Sequence, residues 1–284
     1  YGPADAITGG VFAPMGKATS DGNDFTVNGT WNWGSGTSNC TWIMAGCMII
    51  GDDGKPQMHE RGPLSRMMML PRDEVEIADT WHVTGLAGTG SNEFTIKNRK
   101  VPLDRSVALA TDKPLIDAPL YTFPSFGLLA IGIAAVAIGT AQGAAQEFIE
   151  IAGAKTPQYS AKSLANKGQA QVDFARAMGL IESGRAFLHN AVSDGYTNAT
   201  HSGELSEHDR ARIRLAATSA TKQAADAIDL LYTAAGGTSV YLATPLQRRF
   251  RDVHVATQHI MVAAGTLELT GRVLLGVKTD TAML

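Results

Sequence analysis

Cysteine is nearly missing from this chain: its 284 residues hold two, Cys40 and Cys47. Two are too few for a disulfide framework, and their spacing is too wide for a C-x-x-C metal or redox pair. A reducing cytoplasm suits such usage, and no metal site is expected. Charge is scarce as well. Charged residues make up 18% of the chain against 44% hydrophobic, and Lys+Arg 24 nearly balances Asp+Glu 27 for a net charge of -3. A basic footprint for nucleic acid is therefore absent, and disorder is excluded as the general state. So thin a charged surface suggests burial against another subunit, although folded surfaces are substantially apolar in any case. No internal repeat or low-complexity tract occurs. Residues 1–5 carry no Met and no basic segment leading into an apolar one, so no signal peptide is read there. Residues 123–145 could imitate a membrane span, since the first charge after Asp117 is Glu147. Their many Gly and Ala residues, the polar Thr140, Gln142 and Gln146, and the lack of basic flanks argue against insertion.

What is present falls into two halves of different grammar, as the length permits. All four tryptophans (Trp31, Trp33, Trp42 and Trp81) precede residue 115, as do most turn signals: Asp21-Gly22, Asn28-Gly29, Gly34-Ser35-Gly36 and Asp53-Gly54. Short apolar runs at 25–27, 42–45, 48–50, 67–70 and 94–96 lie between them. Closely spaced runs separated by turns predict an antiparallel β-domain, a barrel or sandwich, over residues 1–112. Residues 102–119, with three prolines, read as a linker.

Residues 113–284 turn helical. The first predicted helix covers 123–152, with Ala135, Gly139 and Gly143 at i+4 spacing for close approach of another helix. The second covers 161–192, with Phe174, Met178, Ile181 and Leu188 near one stripe. The third opens at Ser206, a side-chain cap, with Glu207 and Asp209 facing the positive end of the helix dipole; it stops at Ala235 before Gly236-Gly237. The fourth follows Pro245 and runs to about 275, ending at Gly276. Four long helices with short turns predict an up-down four-helix bundle, and the class is α+β.

Three stretches carry a resemblance. Residues 25–37 run aromatic, then Asn28-Gly29, then Trp31, Trp33, Ser35 and Gly36; residues 79–91 are led by Trp81 and followed by Val101-Pro102; and Gly236-Gly237 is followed by 245–252, His259 and Gly271-Arg272. In this order they resemble the acyl-CoA dehydrogenase fold, and more narrowly its two-component flavin-dependent monooxygenases. The resemblance covers nearly the whole chain. It implies an oxygenase component that hydroxylates a phenolic or indole-like ring through a flavin C4a-hydroperoxide, using reduced FAD or FMN and O2. A separate flavin reductase would supply the reduced flavin, and the fold usually forms a homotetramer. Family members also carry an N-terminal helical domain, so this chain is expected to be a piece lacking it. By the same likeness residues 7–10, with Pro14 and Gly16, form a flavin-side loop.

The resemblance assigns Ser35 to the flavin N5/O4 edge, Trp33 to the ring and Thr37 to cofactor binding. Trp33 and Ser35, two apart on a predicted strand, would share a face. The plain alternative is a core tryptophan and a turn serine. Gly236, Gly237 and Thr238 would approach the flavin where side chains would obstruct, or would simply end a helix. His259 is implied to face the flavin and substrate, a role suited to an imidazole titrating near neutrality; alternatively it is an ordinary packed histidine. His254 and His82 are lesser candidates. Asp252, seven positions before His259, would share its helix face at about 10 Å. Arg251-Asp252 reads as an ion pair or interface contact, while Arg248, Arg249 and Arg251 could instead approach a flavin phosphate.

The alternatives are an acyl-CoA dehydrogenase-like flavin oxidoreductase and a non-catalytic member of the fold, and the residues speak against the first. The glutamate that removes an α-proton in acyl-CoA dehydrogenases would fall where this chain has Ile260, and no acidic residue lies between Asp117 and Glu147 to replace it. The family's Arg-x-x-Phe-Gly contact to a dinucleotide is also missing from 154–168, which offers only Lys155, Lys162 and Lys167. FMN or a loosely held reduced FAD fits that lack. Phe123, Phe126, Leu129 and the run 67–69 could line an apolar pocket or be core.

Overall fold

The computed structural model describes residues 6–60, 62–109 and 111–284; the reading of residues 1–5 lies outside them. Two compact units emerge: Tyr1–Val83 with Ala87–Pro114, and Thr84–Leu86 with Leu115–Leu284.

The first unit contains strands β1 (Thr8–Ser20), β2 (Asp24–Gly34), β3 (Trp42–Ile50), β4 (Met58–His59), β5 (Gly62–Pro63), β6 (Ser65–Pro71), β7 (Glu76–Ala78), β8 (Asn92–Pro102) and β9 (Ser106–Val107). Seven of them form one sheet in the order β7-β8-β2-β1-β3-β6-β9, and β4 and β5 form a small hairpin. The sheet is mixed rather than wholly antiparallel, because β1 and β3 run parallel. Turn signals predict that successive strands pair. Here residues 35–41 carry the chain past β1, so β2 and β3 flank it on opposite sides. Two further expectations are corrected. Residues 7–10, Pro14 and Gly16 are not a loop, since all but Ile7 lie in β1, whose register shifts between Val11 and Gly16. Part of the expected linker rejoins the sheet as β9, and Arg66 straps it by donating from Nε to Ser106 Oγ (3.0 Å) and from Nη2 to Asp112 Oδ2 (3.0 Å).

Trp31 organises the core of this unit. Its indole is fully buried, stacks on Phe94 with centroids 5.1 Å apart, and donates from Nε1 to the Gly46 carbonyl at 2.7 Å. A buried indole N–H needs such a partner. A Cβ on Gly16 would sit 2.1 Å from this ring, so glycine there is a requirement of the ring's position.

The second unit has helices α1 (Ser125–Ala154), α2 (Gly168–Ser202), α3 (Glu207–Ala235), α4 (Pro245–Ala256) and α5 (Gly265–Leu274). Ser206 caps α3 as expected, accepting the Asp209 N–H at 3.1 Å, and Gly236 ends it at φ 59. The stripe of α2 also stands, with Ile181 and Leu188 buried and Phe174 and Met178 packed at the core's edge. Gly184 lets α2 approach α3 closely, since a Cβ there would lie 3.2 Å from Ala220 Cα. The stripe expected on α1 is displaced. Ala135 and Gly139 are exposed, and burial falls on Ala130, Ala134, Ala137, Ala141 and Ala144. Gly143 makes room for the Arg249 guanidinium rather than a helix, as a Cβ there would lie 2.4 Å from Arg249 Cζ. By length and composition α1 could cross a membrane, but in this unit its alanines pack into the bundle core.

The expected fourth helix is two helices. Between α4 and α5, residues 257–264 turn: His259 N–H donates to Ala256 O (3.1 Å), while His259 O accepts from both Val262 N and Ala263 N (2.9 Å each). Met261 N–H donates to the His259 Nδ1 (3.2 Å), which removes a donor from the helical ladder. His259 and Asp252 therefore do not share a helix face, and the 10 Å expectation lapses.

Candidate functional site

In the first unit, β2 ends in a turn that presents Trp33. Its backbone lies at φ 65 and its side chain is 69% exposed. Bulky residues avoid this left-handed region, and its occupation away from glycine marks a functional or strained position. Ser35 lies beyond the strand, which ends at Gly34, and the pairing with β8 shifts register between Trp31 and Gly34. The expectation that Trp33 and Ser35 share a strand face is thus corrected; the turn sets them instead. Trp31, not Trp33, is the core tryptophan.

Hydroxyl groups hold this turn to the stretch around residues 87–91. Ser35 Oγ shares a hydrogen bond with Ser91 Oγ at 2.7 Å, Ser91 Oγ shares another with Thr89 Oγ1 at 2.7 Å, and Gly36 N–H donates to Thr89 O at 2.9 Å. Two stretches that the resemblance singled out are thereby joined. Ser91 and Thr89 were not picked out from the sequence; the signal was their place in the Gly-Thr-Gly-Ser run. Thr37 is fully buried and its hydroxyl donates to Gly34 O at 2.7 Å. That side chain shapes the turn and has no surface for a cofactor, which corrects its expected role.

In the second unit, Gly236, Gly237 and Thr238 open a short 3-10 turn, Gly236–Val240, after α3. Both glycines are exposed, and a Cβ on Gly237 would meet nothing within 4 Å. Lys155 Nζ donates to Ala235 O at 2.5 Å, placing a cation beside this turn.

His259 is exposed, on the turn between α4 and α5. Partial enclosure of its ring, and then the charge of Arg214, hold the imidazole below its ordinary 6.5. Arg214 itself is 2% exposed on α3 and donates from Nη1 to Phe126 O (3.0 Å) and toward Met261 Sδ (3.3 Å). Burial pulls its guanidinium below its ordinary value, and among the described residues no carboxylate pairs with it. Sequence reading missed Arg214. The signal was a charged residue on the buried stripe of α3, between Ala211 and Ala217.

The remaining candidates are mostly engaged. His254 Nε2 meets Asp229 Oδ1 at 2.8 Å, and its ring stands edge-on to Phe250 at 4.6 Å. Arg251 and Asp252 do not pair with each other: Arg251 Nη1 donates to Thr84 O (2.7 Å), and Asp252 Oδ1 accepts the Leu86 N–H (2.6 Å). Arg249 Nε donates to Glu147 Oε1 at 2.6 Å. Of the three arginines considered for phosphate, Arg248 alone has no partner among the described residues. Phe123 and the methionines Met67, Met68 and Met69 are core, each under 8% exposed, and His82 is exposed. Both cysteines are free and buried, with burial pushing the Cys47 thiol up to about 12. Ile260 is 66% exposed and supplies no base.

The family described as "Acyl-CoA dehydrogenase, C-terminal domain" matches residues 131–264. The indole-3-acetate monooxygenase of Pseudomonas putida is 28% identical over 274 residues, covering 96% of this chain and 68% of the relative. The oxygenase subunit HsaA, a flavin-dependent monooxygenase of Mycobacterium tuberculosis, is 32% identical, covering 87% of this chain and 63% of the relative. The solved structure of XiaF from Streptomyces sp., in complex with FADH2 and glycerol, superposes with a TM-score of 0.85 at 25% identity, over 96% of this chain and 69% of that one. The chain thus spans about two thirds of the length of these relatives, 63% to 69%. With its sheet and its helices the chain has the acyl-CoA dehydrogenase-like fold, and over nearly its whole length it is similar to the oxygenase components of flavin-dependent monooxygenases.

Proposed function

We propose that this chain is part of an oxygenase that uses reduced flavin, delivered by a separate reductase, to hydroxylate an aromatic ring. The observation that carries the reading is Trp33: a large aromatic side chain, 69% exposed, on a left-handed backbone position beside the Ser35 hydroxyl. A flat apolar surface next to neutral hydrogen-bonding groups suits an isoalloxazine ring. In the second unit the bare Gly237 leaves room for a ribityl or phosphate chain, and Lys155 lies nearby for its charge.

In this reading Trp33 lies against the flavin ring, and Ser35, held by Ser91, meets its polar edge. Gly236, Gly237 and Thr238 receive the tail through backbone groups, and His259 meets the flavin or substrate. The bound reduced flavin supplies the two electrons by which one atom of O2 enters the substrate and the other leaves as water. The chain's own residues bind, orient and exclude water from the reaction. Either FAD or FMN is compatible. The FADH2 named in the XiaF structure supports the reduced state for that relative. Indole-3-acetate, named for one relative, supports an aromatic substrate.

A homotetramer in the cytoplasm completes the proposal. Exposed apolar residues such as Tyr241 (68%), Leu242 (84%) and Leu275 (81%) favour burial in an assembly. The buried free thiols Cys40 and Cys47 suit a reducing compartment. The proposal is tested by flavin titration of the wild-type protein and of Trp33→Gly under anaerobic conditions. Wild type should bind reduced flavin more tightly than Trp33→Gly by about tenfold, or about 1.4 kcal/mol. Equal affinity would remove Trp33 from the site.

A further inference from the structure

The turn that carries His259 is built on a buried, unpaired cation. Arg214 is 2% exposed, its Nε has no partner, and its Nη1 is anchored by the Phe126 carbonyl and by Met261 Sδ. Such a group is costly to bury without an anion. Met261, held at its side chain by Arg214, donates its backbone N–H to His259 Nδ1. A ring nitrogen that accepts an N–H carries no proton, so in the neutral imidazole the proton sits on Nε2. Among the described residues Nε2 has no partner.

We propose that Arg214 is a positioning residue that, through Met261, locks His259 in the Nε2–H tautomer, so that the imidazole gives a hydrogen bond to a substrate oxygen instead of taking a proton. This rests on the reading that His259 meets flavin or substrate. It also narrows the substrate class. A phenolic ring presents an oxygen that accepts from Nε2–H, and the field of the buried Arg214 favours negative charge on that oxygen. An indole N–H is itself a donor and finds no acceptor at Nε2. Positioned this way, His259 orients a phenolic ring and stabilises its ionised form without itself changing protonation.

The test is nitrogen-15 NMR of histidine-labelled protein without flavin, with His259 assigned by its loss in His259→Gln. In the wild type the neutral ring should have Nδ1 unprotonated and Nε2 protonated, with its midpoint below 6.5, the ordinary value. Arg214→Met should mix the two tautomers and raise the midpoint of the ring toward 6.5, its ordinary value. Met261→Leu, which keeps the backbone donor but removes the sulfur that Arg214 holds, should mix the tautomers as Arg214→Met does. A protonated Nδ1 in the wild type, or an Arg214→Met spectrum unchanged in tautomer and midpoint, would overturn the proposal. Should Arg214→Met not fold, the wild-type tautomer still decides. Oxygenation tests the reading of the flavin site separately, since the tautomer is measured with no flavin present.

Discussion

The carboxylate of Asp252 on α4 accepts the backbone N–H of Leu86, 166 residues away in sequence, at 2.6 Å. The segment Thr84–Leu86 belongs to the helical unit, although both its flanks belong to the sheet unit. Arg251 secures the same segment at the Thr84 carbonyl, and Gly85 lies so close to α4 that a Cβ would stand 2.4 Å from Arg251 O. Asp252→Ala should therefore cost about 1.5–3 kcal/mol, the range for a hydrogen bond to a charged group. Urea denaturation followed by helical circular dichroism reads it, with Asp252→Asn losing less because an acceptor remains.

Gly85→Ala should be at least as damaging, because the clash is with backbone and cannot be relieved by turning a side chain. Overpacking of this kind costs about 1–3 kcal/mol. Gly88→Ala is the control, since a Cβ there meets nothing within 4 Å. A shifted urea midpoint for the first and an unshifted one for the second are expected.

Trp33 gives a prediction of opposite sign for stability and binding. Trp33→Gly relieves a left-handed backbone position, so the denaturation midpoint should hold or rise. Trp33→Ala keeps the backbone strain and should not gain. Both variants should bind flavin more weakly than wild type.

The pH dependence of stability follows from His259. Its folded-state value is below 6.5, its ordinary value, because of partial enclosure and the charge of Arg214. Between the two values the unfolded chain binds more protons, so stability rises with pH there. This contribution is complete above pH 6.5 and is lost as pH falls through the folded value. Wild type should therefore lose more stability than His259→Gln between pH 7 and 5. Parallel losses would show that the histidine is not perturbed.

Much of the fold was legible in the residues. Ser206 and Gly236 bound α3 because capping and a left-handed stop are local chemistry, readable from a few adjacent positions. The parallel pairing of β1 with β3 was not, because turn signals say where strands end and not which neighbour they join. The break after Ala256 was hidden for a related reason. The sequence past it contains no glycine or proline until Gly265, and the interruption comes from a side-chain nitrogen of His259 capturing a main-chain donor.

The candidate site divides the same way. Trp33 and Ser35 could be picked out by motif, but the left-handed backbone at Trp33 and the hydroxyl contacts from Ser35 to Ser91 depend on residues far apart in the chain. Thr37 looked like part of the same motif, yet its hydroxyl is spent on the Gly34 carbonyl. Arg214 was overlooked because it follows Arg210 and Arg212 in one charged run, and the cation becomes notable only when α3 is seen to bury it.

The most direct test is to mix the full protein anaerobically with chemically reduced FAD or FMN, admit oxygen in a stopped-flow instrument, and add a phenolic substrate. A transient absorbance distinct from both reduced and oxidised flavin is expected, followed by a hydroxylated product. His259→Ala should shorten that transient or cut the yield of product. Direct reoxidation with either flavin, with no transient and no product, would contradict the account.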